Sequence, residues 1–255
     1  MKLLRLLPLL LITAPLSAQE TTRRVTPEEA FSEAAMHYQA SRFTEAAALY
    51  KKTASLISDS PSAHYNLGNA LLRVQTPGSL GRSIASYARA FHLAPRDGDI
   101  RHNFDFALKR AGEELIPAGT PATLWIAFHI LSRTELKAFQ FLFLWSALLL
   151  GTLWVIRPEW RERVGTPMAV VCGLWLTTAG WWGARAALAM KDPAIVVRMN
   201  AEVRSGPGGT FSVGFKVPEG RRVSRIGGRK GSWVEIGVPT EGLKGWIDSD
   251  ALEPI

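Results

Sequence analysis

The chain has one cysteine, Cys172, in 255 residues. A single thiol excludes an intrachain disulfide framework, a zinc knuckle and a CxxC redox pair. Histidine is scarce too. His37, His64, His92, His102 and His129 are scattered, with no metal-ligand or nucleophile–base spacing. His37 and His64 are expected to pack or hydrogen-bond within helices. No glycine-rich phosphate loop followed by lysine is present; Gly206-Pro207-Gly208-Gly209 reads as a turn between short β-runs. These gaps argue against an enzyme, and no cofactor or metal is expected. Acidic residues are in deficit, 22 against 30 Lys and Arg, for a formal net charge of +8. The basic residues are interleaved with acids, as on a solvated surface, so no nucleic-acid partner is expected.

Charge is missing altogether from Ala138 to Ile156, and Met168 to Met190 carries only Arg185. Each stretch is about the 20 residues a helix needs to cross a bilayer core. Residues 157–167, between them, are polar and short. The reading is a transmembrane hairpin: helix 138–156, cytoplasmic loop 157–167, helix 168–190. Arg157, Arg161 and Arg163 in the loop fit its cytoplasmic side, and Trp154 and Trp160 fit the interface. Arg185 lies near the outer end of its helix, where its stem can snorkel to the headgroups. Residues 1–18 read as a signal peptide: Lys2 and Arg5, an apolar core, Pro15, and small residues Ser17-Ala18. Signal and two crossings together are expected to put both flanking domains on the same side of the membrane, outside the cytoplasm.

Residues 27–111 are helical and repetitive. Thr26-Pro27-Glu28-Glu29 is a helix start. Ala34, Ala46 and Tyr50 are echoed by Gly68, Ser83 and Tyr87, and Ala34 and Gly68 lie 34 residues apart, the tetratricopeptide (TPR) period. A small residue on one helix lets a bulky partner sit against its backbone. Ala46 to Ser83 is 37, and the three extra residues are expected in the turn around Thr76-Pro77-Gly78. A further helix, about 97–111, covers the second repeat. So short an array needs support from elsewhere. Asn66, Asn69 and Arg73 share one helix face and are the candidate protein-binding groove. Residues 112–121 read as a linker and 122–137 as an interfacial helix with Trp125 at headgroup level and His129 beside it, broken at Ser132-Arg133-Thr134-Glu135.

Residues 192–255 carry β-rich runs at 194–198, 211–217, 222–226, 232–238 and 244–248, separated by glycine and proline turns. Five short strands suggest a small barrel. The densest basic patch, Arg221-Arg222 with Arg225, Arg229 and Lys230, reads as a solvated hairpin, with contact to anionic headgroups or an acidic partner as the functional alternative.

Val203-Arg204-Ser205-Gly206-Pro207-Gly208, with Trp233-Val234-Glu235-Ile236 and Gly245-Trp246-Ile247, resembles the bacterial SH3-like domain. In that family Arg204, Ser205 and Trp233 would be first choices for ligand contacts, and peptidoglycan is a common ligand. The whole order, a multidomain membrane protein with an all-α TPR solenoid, a two-helix transmembrane hairpin and an all-β SH3-like barrel, resembles the BatE proteins of the Bacteroides aerotolerance system. Specific strings add to this: Gly81-Arg82-Ser83-Ile84, Tyr87-Ala88-Arg89-Ala90, Leu93-Ala94-Pro95-Arg96-Asp97 and Asp99-Ile100-Arg101-His102-Asn103. The resemblance implies an aerotolerance or envelope-stress complex, with von Willebrand factor A domain membrane proteins and a MoxR-type AAA ATPase as neighbours. The expected function is a non-enzymatic scaffold. Alternatives are a peptidoglycan-binding envelope module, and a subunit of a membrane enzyme or transporter that uses Arg185.

Overall fold

Side-chain caps set half of the α-helix starts in the computed structural model, which describes residues 26–189, 192–239 and 241–255. The expected signal peptide at 1–18 lies outside those residues. Helix α1 (Pro27–Gln39) opens on a capping box: Thr26 Oγ1 accepts from the Glu29 amide, and the Glu29 carboxylate accepts from the Thr26 amide. Ser60 caps α3 (Pro61–Val74) and Asp97 caps α5 (Gly98–Arg110). The helices between them, α2 (Phe43–Leu56) and α4 (Ser79–Leu93), have no side-chain cap of their own.

These five helices pack in sequence order, α1 on α2, α2 on α3, α3 on α4 and α4 on α5. The expected small-against-large packing is present. A Cβ on Gly68 would lie 2.7 Å from the Tyr87 ring, so only glycine lets that ring reach the α3 backbone. Ser83 Oγ donates to the Gly68 carbonyl at 2.9 Å. In the first pair, Ala34, Ala46 and Tyr50 share one buried cluster, with Phe31 edge-on to Tyr50 at 5.4 Å. The three extra residues of the second pair do not all fall in its turn. The α3–α4 connection is four residues against three for α1–α2, and the other two lengthen the end of α3 and the start of α4.

Residues 112–121 are more than a tether. Leu115 is buried in the helical core and Glu113 is 7% exposed. Helix α6 (Ala122–His129) follows, then a break, then α7 (Arg133–Ile156). The break falls where the sequence placed it, with Ser132 and Glu135 forming a second capping box. The expected interfacial helix is therefore shorter than 122–137, because residues 133–137 belong to α7. A single 3₁₀ turn (Pro158–Trp160) leads into α8 (Arg161–Leu188), which passes through Pro167. The two long helices run antiparallel: Gln140 Nε2 donates to Thr178 Oγ1 at 2.8 Å, and Arg161 Nε donates to the Trp154 carbonyl at 3.3 Å. Among the described residues, α7 is the one helix long and apolar enough to cross a membrane; α8 falls short of that mark. Both carry bare apolar side chains, including Trp145 at 68%, Leu149 at 63%, Leu176 at 62% and Leu188 at 77% exposure.

The C-terminal unit is one antiparallel sheet of seven strands, two more than expected: β1 (Pro193–Val196), β2 (Ala201–Arg204), β3 (Val213–Val217), β4 (Arg222–Lys230), β5 (Trp233–Val238), β6 (Leu243–Asp248) and β7 (Leu252–Pro254). Their order is β3-β2-β6-β5-β4-β1-β7. Val217 from one end of the sheet and Val196 and Leu252 from the other join the same buried cluster, with Val203, Val223, Ile236 and Ile247. The sheet is therefore rolled around a single core.

Candidate functional site

The helices and the sheet meet along α4. Ile195 of β1 is fully buried in the helical core cluster, not in the sheet's own. The backbones come so close that side chains must be missing. A Cβ on Gly81 would sit 2.4 Å from the Val196 carbonyl oxygen, and one on Gly78 2.5 Å from that of Val197. Gly78 also has φ +87, where glycine is at ease. From the sheet side, a Cβ on Gly220 would lie 2.4 Å from Ala111.

Charge then fixes the register. The Gly81 amide donates to Glu219 Oε1 at 2.9 Å. Helix α4 lacks its own cap, so the sheet supplies a carboxylate at the positive end of the helix dipole. Arg221 and Arg222 reach the buried Glu113, each at 3.1 Å, and Arg222 also donates to the Glu114 carbonyl at 2.6 Å. Arg89 of α4 holds Glu253 at 2.7 Å and the Pro254 carbonyl. Arg225 pairs with Asp192. Three arginines of the basic patch are thus engaged by acids of the same chain.

Beside this seam lies a cleft of about 600 Å³, within the ordinary range for ligand sites. Its α3 lining is Leu67, Leu71 and Val74 with His64. Lys51 and Ser55 of α2 and Arg82 and Ser86 of α4 flank it, and the sheet closes it with Val197, Asp250, Leu252 and Glu253. The strand at that wall, β7, is an edge strand, paired only with β1. His64 is 7% exposed. Its Nε2 lies 3.0 Å from the Ser58 carbonyl, which can only accept, so Nε2 carries the proton. Nδ1 is then a buried acceptor with no partner among the described residues. Burial holds the ring below the usual histidine range, with Arg89 acting in the same direction. The cleft therefore combines an apolar floor with the cationic side chains of Lys51 and Arg82, which have no ion-pair partner among the described residues.

The groove residues chosen from the sequence lie elsewhere. At 100° per residue, Asn66, Asn69 and Arg73 point about 130° away from Leu67, Leu71 and Val74 around α3. Asn69 Oδ1 accepts from the Tyr87 hydroxyl at 2.7 Å and from Asn103 Nδ2 at 3.1 Å, and Asn103 also donates to the Tyr65 oxygen at 2.9 Å. Asn69 thus ties α3 to α4 and α5. Arg73 lies 4.6 Å over the Phe43 ring. In the sheet, Arg204 donates to the Gly209 and Phe211 carbonyls at 2.8 and 2.7 Å and pairs with Glu202 at 2.6 Å. Ser205 Oγ is 3.1 Å from Ser212 Oγ. Both brace the loop between β2 and β3. Trp233 is half-buried opposite Asp248 of β6. Nothing brings Arg204, Ser205 and Trp233 to the cleft.

At the other end of the helical unit, Trp125 stacks on Phe91 at 5.5 Å and touches His129 at 4.4 Å, so its ring faces protein. Arg185 does not reach outward either: its Nη1 donates to the Leu131 carbonyl at 2.6 Å. Trp160 is exposed, and Arg161 lies 4.6 Å over the Trp154 ring.

No family model matches the chain. Among curated proteins it is similar to the probable cell wall amidase LytH of Staphylococcus aureus, in strains USA300 and COL among others, with 38% identity over 53 residues. That stretch is 21% of this chain and 18% of the relative, so the chain spans less than a fifth of the curated relatives it matches.

Proposed function

We propose that this protein is a non-enzymatic scaffold anchored in a bacterial inner membrane, with its TPR-like helices and SH3-like sheet acting together on the periplasmic side. The single observation that carries the proposal is the cleft at the helix–sheet seam, with its apolar floor flanked by Lys51 and Arg82. An extended peptide suits such a site: its apolar side chains can settle on Leu67, Leu71 and Val74, and acidic ones can meet Lys51 and Arg82. The bare apolar flanks of α7 and α8 support the membrane hairpin, since water would leave them uncovered. The BatE-like order of segments supports an aerotolerance or envelope-stress complex with von Willebrand factor A proteins and a MoxR-type ATPase as the partners to test first. The test is a pull-down from detergent extract with the wild type, Leu71→Glu in the cleft floor, and Asn66→Glu on the opposite face. The proposal expects partners to be lost with Leu71→Glu alone; equal recovery with all three would remove the cleft from the account.

The likeness to a cell wall amidase favours a second reading, in which the sheet contacts peptidoglycan. Co-sedimentation of the full chain in detergent with purified sacculi tests it, with Trp233→Ala as the comparison. Pelleting no greater than in the absence of sacculi would end that reading.

A further inference from the structure

The ground where the helical unit meets α7 is crowded with cations. Arg96 and Arg101 line a pocket of about 170 Å³ with Trp125, Ile126, His129 and Ile130. Arg133 opens α7 three residues beyond Ile130 of the pocket, and Arg185 reaches the Leu131 carbonyl beside it. Glu135, which opens the same break, is already committed to Arg96 and to the Ser132 amide.

Some of these cations have structural duties. Helix α6 ends at this point with bare carbonyls. Arg96 donates to the Ile130 carbonyl at 3.3 Å, Arg185 to that of Leu131 at 2.6 Å and the Trp181 indole to that of Phe128 at 3.0 Å. That accounts for Arg96 and Arg185 as cationic caps on a helix C-terminus. It leaves Arg101 and Arg133, which have no acidic partner among the described residues. Arg101 is half-buried, with a fork of donors and no side-chain hydrogen-bond partner among the described residues. His129 donates through Nδ1 to the Trp125 carbonyl at 2.9 Å, which leaves its Nε2 for another group.

The surroundings select the anion. Leu124, Ile126 and Ile130 are exposed on and just after α6, beside the pocket, and Phe139 is exposed on α7. A basic pocket bordered by bare aliphatic side chains matches an amphiphile whose phosphate enters and whose chains stay outside. We infer that this pocket binds the phosphate of an anionic phospholipid headgroup, with Arg101 as the direct ligand and Arg133 adding to the positive field. The site then locks the helical unit to the bilayer surface through the lipid as well as through α6. The inference rests on the proposal that α7 crosses the membrane.

The test uses the full chain in a neutral detergent and native mass spectrometry. Phosphatidylglycerol and phosphatidylcholine of identical acyl chains are titrated in, with inorganic phosphate as competitor. The wild type should bind phosphatidylglycerol about tenfold more tightly than phosphatidylcholine, the scale of one charge-assisted fork. Arg101→Gln should bring the two within about twofold, and Arg133→Gln should narrow the gap partway. Arg229→Gln, on the sheet, should leave it unchanged. Equal affinities in the wild type, an unchanged preference in both Arg101→Gln and Arg133→Gln, or full displacement by millimolar phosphate would each overturn the inference. Should Arg101→Gln fail to fold, Arg133→Gln still decides. Release of the chain from membranes by alkaline carbonate would instead refute the spanning helix itself.

Discussion

Replacing Glu113 by Gln probes the seam between helices and sheet. Both carboxylate oxygens are used, one by Arg221 and one by Arg222, each at 3.1 Å, and the side chain is 6% exposed. Removing one member of a fully buried ion pair costs about 3–5 kcal/mol. Here the arginines are 24% and 31% exposed, and Arg221 keeps Glu241 at 2.8 Å. Water can therefore recover part of their solvation, and the amide oxygen retains one acceptor. The expected loss is about 2 kcal/mol, or roughly 30-fold in the opening equilibrium of the seam. Hydrogen exchange with mass spectrometry reads it directly. The Gly81 amide, held across the seam by Glu219, should exchange about 30-fold faster, while those of β5 and β6 stay protected. A change of less than threefold at Gly81, or an equal rise throughout the sheet, would refute the view that this pair holds the two units together.

Other outcomes follow from single contacts. Gly68→Ala should cost about 1–3 kcal/mol in denaturant unfolding, because its Cβ would lie 2.7 Å from the fully buried Tyr87 ring. Ser132→Ala removes the capping box of α7 and should cost about 1 kcal/mol, seen as faster exchange of the Glu135 and Leu136 amides. Burial, with Arg133, Arg185 and His129 around it, holds His92 down to about 4, against 6.5 when unfolded. Above pH 6.5 neither state is protonated and the helical unit has its full stability. Below it the unfolded chain takes up the proton first, so stability falls as pH drops from 6.5 towards 4, by about 2 kcal/mol. Thermal unfolding of His92→Gln should show a flatter pH profile over that window; an unchanged profile would contradict the assignment.

What the sequence disclosed was local. The caps at Thr26–Glu29 and Ser132–Glu135 are three residues apart and announce themselves, as does the small-against-large rhythm of Ala34, Gly68 and Tyr87. The seam is different in kind. Gly81 and Glu219 are 138 positions apart, and each alone is an ordinary residue in a turn or helix start. The strands missed were β2, short and half charged, and β7, which carries Pro254 on an edge where no N–H is needed. Arg221 and Arg222 looked like a surface for an outside acid because Glu113, their true partner, read as part of a linker. Asn69 looked available because Tyr87 and Asn103, which occupy it, reach it only in the folded array. The cleft was hidden for a related reason. Leu67, Leu71 and Val74 satisfy the helix repeat as core residues, and only the arrival of the sheet turns them into the floor of a site.

The central claim is that the seam cleft receives a partner. Photo-crosslinking amino acids placed in living cells at Ser55 and Arg82, on its two flanks, and at Asn66 and Arg73, on the far face of α3, test it most directly. The account predicts one shared crosslinked protein from Ser55 and Arg82, lost when Leu71→Glu is added, and none from Asn66 or Arg73. Crosslinks from Asn66 and Arg73 with none from the cleft would contradict it.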